Sequence, residues 1–215
     1  MKAMQHLGEG GDLSEADEML GVPTTTLRRW CEEQRLHASE NRSDEDVFRE
    51  EDRDMVLKAS RFLNLLLTGV LTGNEFGGFV GFHPALYALP TEAHARAERT
   101  ITVRFGKIMP PFMTAAILSF VPVLSLAEDR RSPSYFFTLA GMLSYASMLA
   151  VTFAGNMPVN RRMLEMDPGT VSGEELVGLR RRWDRFHAVR NVLNFLGFTS
   201  ALLGALSEDT SDRTL

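Results

Sequence analysis

The sequence predicts an all-α protein, a four-helix transmembrane bundle preceded by a small helical domain. Four apolar runs carry the first half of this prediction, near residues 62–82, 109–127, 134–157 and 187–206. Each is long enough to cross a bilayer core of roughly 30 Å. The uneven charge carries the second half: residues 1–57 hold 7 Lys+Arg and 15 Asp+Glu, a net charge of −8, whereas the remainder has a net charge of +3.

These shifts predict three segments: an acidic cytosolic domain (1–57), a transmembrane domain (58–207) and a disordered tail (208–215). The first apolar run begins near Phe62, and no signal peptide precedes it. Cys31 is the only cysteine, which excludes an intramolecular disulfide and a cysteine metal cluster. We therefore expect a multi-pass protein of the cell membrane, in contact with lipid, whose N-terminus is cytosolic.

Residues 12–36 predict two helices separated by a tight turn. Ser14 can cap the first helix, Gly21 and Pro23 form the turn, and Leu27 and Trp30 share one face of the second helix. This stretch resembles the helix-turn-helix of the MerR and excisionase type, and FREEDRDMVLKA lies where that family has the helix after its wing.

The charge of this module argues against strong DNA binding. Where the family has a basic wing, this chain has HASENRSDEDV, in which Arg42 is the only cation. Affinity for DNA comes mainly from cations that meet phosphates. Three interpretations stay open: a DNA-binding head, a docking or regulatory module of the same shape, and helices that pack on the membrane domain.

The first apolar run combines a glycine ridge with a buried carboxylate. Four glycines recur every four residues, a spacing that lets another helix approach and could support a homo-oligomer: Gly69, Gly73, Gly77 and Gly81. Asn64, Thr68 and Glu75 fall on the opposite side. A carboxylate at this depth needs a proton, a partner or a cation. Glu75 is therefore either a structural partner of an arginine such as Arg190 or a metal ligand or acid/base group.

Prolines and caps set the expected limits of the helices. Pro84 predicts a break close to His83, Pro110 and Pro111 suit the first turn of the second span, and Pro122 predicts a kink. Residues 91–107 predict a separate amphipathic surface helix. Ser172 and Glu175 form a capping box at the start of the last helix.

The last apolar run begins with a polar face. Trp183, His187, Arg190, Asn191 and Asn194 share one side of a helix. This face indicates either a site inside the bundle or an interfacial anchor with Trp and Arg at headgroup level. No H-x-x-x-H or E-x-x-H pair is present, so the metal signal is weak and the cofactor is left undetermined.

Residues 62–206 resemble the anthrone-oxygenase-like family of four-helix membrane proteins. The likeness is carried by GNEFGGFVGFHPAL (73–86), GKIMPPF (106–112), NMPVNRRM (156–163) and RWDRFHAVRNVLNFLGF (182–198). Characterised members are linked to the oxidation of anthrones to anthraquinones, and most bacterial members have no assigned activity. The resemblance implies a site at Asn156, Asn160, Trp183, His187 and Arg190. The acidic helix-turn-helix head is not part of the usual family pattern.

Two functions compete. In the first, the bundle is an oxidoreductase for an apolar aromatic ligand, in which His187 is the base and Arg190 and Glu75 complete the catalytic group. Asn156, Asn160, Trp183 and His83 would bind the substrate. In the second, the chain is a membrane-tethered regulatory or scaffold protein, and the helix-turn-helix-like module is its output domain. For the polar cluster itself, we predict that Glu75, His187 and Arg190 form one network, with His83 and Asn160 at its edge; the competing outcome is that Glu75 faces Arg190 alone as a structural pair.

Overall fold

The computed structural model describes residues 44–209 and, before them, only residues 23, 25, 26, 28 and 29. The predicted helix-turn-helix therefore lies almost wholly outside the described residues, and so do the acidic wing region up to residue 43 and the tail from residue 210. The chain divides between Asp54 and Met55. The description below concerns the second unit, together with the helix that begins at Asp44.

Four long helical segments make up this part of the chain, and each is long and apolar enough to cross a membrane. In chain order, their elements are α1 (Asp44–Gly77), a π-helical turn (Gly78–Phe82) and α2 (His83–Leu86); α3 (Thr91–Leu118) and α4 (Phe120–Leu126); α5 (Pro133–Val151), a second π-helical turn (Thr152–Asn156) and α6 (Met157–Glu165); and α7 (Gly173–Asp209). The all-α, four-span prediction is confirmed, and the architecture is that of a multi-pass membrane protein.

The second span does not begin where the sequence predicted. The expected surface helix at residues 91–107 and the expected span from residue 109 are one continuous helix, α3, which runs through Pro110 and Pro111. Each proline removes one backbone donor, but membrane helices tolerate this where side chains compensate. The carbonyls that lose their intrahelical backbone donor are those of Gly106 and Lys107, four residues before each proline, and the Thr114 hydroxyl adds a contact to the Pro110 carbonyl at 2.9 Å. The kink expected from Pro122 is present as a break at Ser119, between α3 and α4.

Both π-helical turns lie immediately before a proline. The expected break at His83 is wrong: the helix widens over Gly78–Phe82 and continues to Leu86, with the His83 N–H donating to the Gly78 carbonyl. The same arrangement precedes Pro158, where the Met157 N–H donates to the Thr152 carbonyl. Widened turns of this kind concentrate at functional sites, and these two lie on facing walls of the cavity described below.

Close helix packing involves one of the four predicted ridge glycines. A Cβ on Gly69 would lie 3.3 Å from the Phe198 ring, whereas a Cβ on Gly73, Gly77 or Gly81 meets nothing within 4 Å among the described residues. Tighter contacts join α5 to α7. A Cβ on Gly197 would lie 2.8 Å from the Tyr145 ring, and one on Gly204 would lie 2.6 Å from the Thr138 hydroxyl oxygen.

Two apolar clusters lie at different levels of the bundle. One fills the spans and consists of Leu71, Met113, Ala116, Phe120, Tyr145, Met148 and Ala201. The other joins the N-terminal part of α3, α6 and the first half of α7, and consists of Ala95, Val159, Met163, Met166 and Leu176. The second cluster lies beyond the apolar runs, so each of these helices extends out of the membrane at the same end of the bundle.

Candidate functional site

A buried ion network joins the first and fourth helical segments. Glu75 is paired with the Arg190 guanidinium through Oε1, and its Oε2 lies 3.0 Å from His187 Nε2. All three side chains are almost fully buried. The convergence of Glu75, His187 and Arg190 predicted from the sequence is therefore present, whereas their catalytic roles stay predictions.

The surroundings of His187 leave one ring nitrogen free. Nε2 faces the carboxylate at 3.0 Å, and a proton on Nε2 would point toward an acceptor, because an ionised carboxylate can only accept. Nδ1 is buried and has no hydrogen-bond partner among the described residues. Nδ1 is therefore the ring nitrogen on the side away from Glu75.

His83 and Trp183 stack against this histidine. The ring centroid of Trp183 lies 4.5 Å from that of His187 and 4.6 Å from that of His83, and the two imidazoles are 5.2 Å apart. A Cβ on Gly78 would touch both imidazoles at 3.4 Å. Glycine at this position therefore leaves the space between the two histidines open.

The two asparagines predicted to bind substrate both contact Trp183. Asn160 Oδ1 accepts a hydrogen bond from Trp183 Nε1 at 2.9 Å, and Asn156 Nδ2 donates to the Trp183 carbonyl at 3.3 Å. Asn160 also lines the cavity, but Asn156 is not among the lining residues. The contacts of Asn156 thus hold Trp183 in place behind the cavity wall.

These groups surround a cavity of about 430 Å³, a size typical of small-molecule sites. Its polar wall contains Glu75, His83, Asn160, His187 and Arg190. Its apolar wall contains Phe82, Ile101, Phe105, Met109, Met113, Met157 and Met163. The combination suits an apolar ligand with one polar end.

A second charged network also contributes to the cavity lining, and the sequence did not predict it. Arg180 donates to Glu98 at 3.1 Å and to Asp184 at 2.8 Å, and its guanidinium lies 4.0 Å from the centre of the Trp183 ring. His94 Nε2 lies 3.3 Å from Glu98 Oε1. Arg180, Glu98 and His94 are all buried, and the first two line the cavity.

Tyr87 completes this network at the surface. Its hydroxyl donates to Asp184 at 2.6 Å. Partial burial, followed by the bond to the Asp184 carboxylate, raises the pKa of Tyr87 above its ordinary value. The tyrosine therefore stays a hydrogen-bond donor to Asp184 throughout the physiological pH range.

One signal in the sequence could have revealed the second network. His94 and Glu98 are four residues apart with Ala95 beside them, so a buried polar face on this helix was readable from the spacing. The cations of residues 91–107 lie on the opposite, exposed face, and they led to the prediction of a surface helix. Arg180 was concealed by its position in the run of three arginines, Arg180–Arg182, of which only the first is buried.

The donor set does not make a metal centre. Across the residues that the structure describes, no three His, Cys, Asp or Glu side chains are placed to ligate one ion. The Glu75 carboxylate already has a counter-charge within the protein, the Arg190 guanidinium.

Comparison with known proteins gives a match over the part of the chain that contains most of these site residues. Residues 99–200, a little under half of the chain, match the anthrone oxygenase family. This segment contains Asn156, Asn160, Trp183, His187 and Arg190, whereas Glu75 and His83 lie before it. No curated protein and no solved structure matches the chain. Over the second, third and fourth membrane helices, the chain is therefore similar to the anthrone oxygenases.

Proposed function

We propose that the protein is a membrane oxidoreductase that oxidises an apolar aromatic substrate, with His187 as the base. The observation that carries this proposal is the orientation of His187. One ring nitrogen lies 3.0 Å from the Glu75 carboxylate, the other has no hydrogen-bond partner among the described residues, and the side chain lines a largely apolar cavity. The match of residues 99–200 to the anthrone oxygenases supports the reaction class.

The chain's own residues supply the proton transfer. His187 Nδ1 takes a proton from a ring carbon that a neighbouring carbonyl has made acidic, and the Glu75 carboxylate stabilises the imidazolium that forms. Arg190 holds Glu75 in position and offsets its charge. Because water is excluded from this site, the electrostatic interactions of Glu75 with the imidazolium and with Arg190 are stronger than they would be in water.

The polar end of the substrate would meet Asn160. Because Asn160 Oδ1 accepts from Trp183, the amide Nδ2 is the atom left to donate to an oxygen of the ligand. As the substrate loses its proton, negative charge moves onto that oxygen, and a donor fixed in advance stabilises it. The overall reaction takes one dioxygen as the oxidant, converts a ring CH₂ to C=O and releases one water.

His187→Gln tests the proposal. The glutamine amide can still donate to Glu75, so we expect the fold to survive, whereas the basic Nδ1 is lost and dioxygen uptake with an anthrone should fall by about 100-fold or more. His94→Gln is the matched control. It makes the same change at a buried histidine beside another glutamate, outside the cavity wall.

The control variant should retain its turnover, and thermal unfolding of the detergent-solubilised variants should show that both stay folded. Undiminished dioxygen uptake by His187→Gln would show that this ring is purely structural.

A further inference from the structure

The exposed residues of the cavity lining locate an opening of the cavity. Of the residues that line the cavity, four are exposed: Gly77 and Phe82 on the first helical segment, and Phe105 and Gly106 on α3. The other lining residues are buried or half-buried. The mouth therefore lies between the first and second membrane helices.

The surface around this mouth is apolar. Phe79, Val80 and Ile108 point outward, with Ile108 61% exposed and Val80 53% exposed. On α3, the exposed cations Arg104 and Lys107 flank the two mouth residues. Cations beside a span reach toward lipid headgroups. We therefore place the mouth at the edge of the hydrocarbon layer, just inside the headgroups on that side of the membrane.

Small residues keep the mouth open. A Cβ on Gly77 or Gly106 meets nothing within 4 Å, and the same holds for Gly73 and Gly81 along the same helix. Behind the mouth, His187 is 2% exposed, and its Nδ1 has no partner within the described residues. The opening thus leads from an apolar surface to a cavity whose lining includes a buried histidine.

We propose that the cavity opens sideways into the bilayer between α1 and α3, and that its ligand is a lipophilic aromatic molecule that arrives dissolved in the membrane. The exposed glycines, Gly77 and Gly106, form the portal. A ligand of this class concentrates in the hydrocarbon layer, so a lateral portal meets it at its highest concentration. The aromatic class of the ligand rests on the proposed function, whereas the cavity and its opening are features of the structure.

Trp183 provides the readout because it lines the cavity and is one of two tryptophans, the other being Trp30. In a Trp30→Phe background, the full chain is reconstituted in phosphatidylcholine vesicles that contain p-dibromobenzene, a lipophilic aromatic quencher that acts on contact and does not absorb at the wavelengths of tryptophan emission. We expect Trp183 fluorescence to be quenched, and the double variant Gly77→Leu/Gly106→Leu to lose more than half of that quenching. Gly73→Leu is the matched control: it is equally open but does not line the cavity, and its quenching should equal that of the parent.

Three outcomes would overturn the portal. One is equal quenching in the parent and in the doubly substituted variant. Another is quenching of Trp183 by aqueous iodide that the leucines abolish, since the mouth would then face water. The third is efficient disulfide cross-linking of two chains through Gly73→Cys in a Cys31→Ser background, since a second copy would then cover the glycines. None of these readouts needs turnover, so failure here is distinct from failure of the His187 proposal.

Discussion

The buried charges of this bundle occur in groups of opposite sign. A charge taken out of water is costly unless a partner meets it. Glu75 meets Arg190 and His187, and Glu98 meets Arg180 and His94. Members of both groups line the largely apolar cavity: Glu75, His187 and Arg190 from the first, and Glu98 and Arg180 from the second.

Glu75→Gln should destabilise the protein by about 3–5 kcal/mol, because the nearly isosteric change leaves the Arg190 charge buried without a counter-charge. Thermal unfolding in detergent measures the effect. Glu92→Gln is the control, since Glu92 pairs with Arg96 on the surface, where both side chains are more than half exposed. Such a pair contributes about 0–1 kcal/mol.

A double variant separates the cost of an unpaired charge from that of altered packing. Glu75→Gln combined with Arg190→Met removes both charges, and much of the lost stability should return. If the double variant is no more stable than Glu75→Gln alone, the loss comes from packing and the pair is not the cause.

At the scale of elements, the seam between α5 and α7 holds the bundle together. Glycines bring the two backbones close, and side chains then bond to carbonyls across the gap. Ser134 donates to the Gly204 carbonyl at 2.7 Å, and Ser144 donates to the Leu193 carbonyl at 2.8 Å. In a membrane, where lipid is as apolar as leucine, close contact and such bonds drive helix association.

Gly204→Ala should destabilise the protein by about 1–3 kcal/mol, because its methyl group would lie 2.6 Å from the Thr138 hydroxyl oxygen and 3.2 Å from the Ser134 carbonyl. Gly73→Ala is the matched helical glycine in open space. It should be neutral or stabilising by up to about 1 kcal/mol, through helix propensity alone. Equal unfolding temperatures for the two variants would contradict the assignment of the seam.

At the scale of the whole molecule, the site occupies one membrane face. Elements that meet the cavity leave the apolar runs at the same end: the π-helical turn before His83, the N-terminal part of α3, the π-helical turn before Met157, and α7 near Trp183. The side of the membrane on which this end lies therefore decides which compartment borders the site.

With a cytosolic N-terminus, four spans place the loop between α6 and α7 outside. Thr170→Cys in a Cys31→Ser background should then be labelled by an impermeant maleimide in intact cells, because residue 170 is exposed. Arg130→Cys, in the exposed turn between α4 and α5, should be labelled only after permeabilisation. Labelling in the reverse pattern would place the site on the cytosolic side.

The sequence by itself determined the architecture. Apolar runs of spanning length predict membrane helices because the bilayer imposes one length and one chemistry on all of them. Glu75 was identifiable for the same reason: a carboxylate inside such a run must have a partner, and Arg190 and His187 were among the few polar groups at matching depth. The continuation of α3 through Pro110 and Pro111 was not readable from the sequence, because prolines are equally suited to the first turn of a new helix.

Only the tertiary structure decided which groups share a space. Arg180 and Arg181 are neighbours in the sequence, yet one is buried against Glu98 and the other is exposed. Gly73 and Gly204 look equivalent within their helices, yet one meets nothing and the other lies against Thr138. Sequence periodicity gives the face of a helix on which a residue lies, whereas the rotation of helices about their axes, fixed by packing, decides what that face meets.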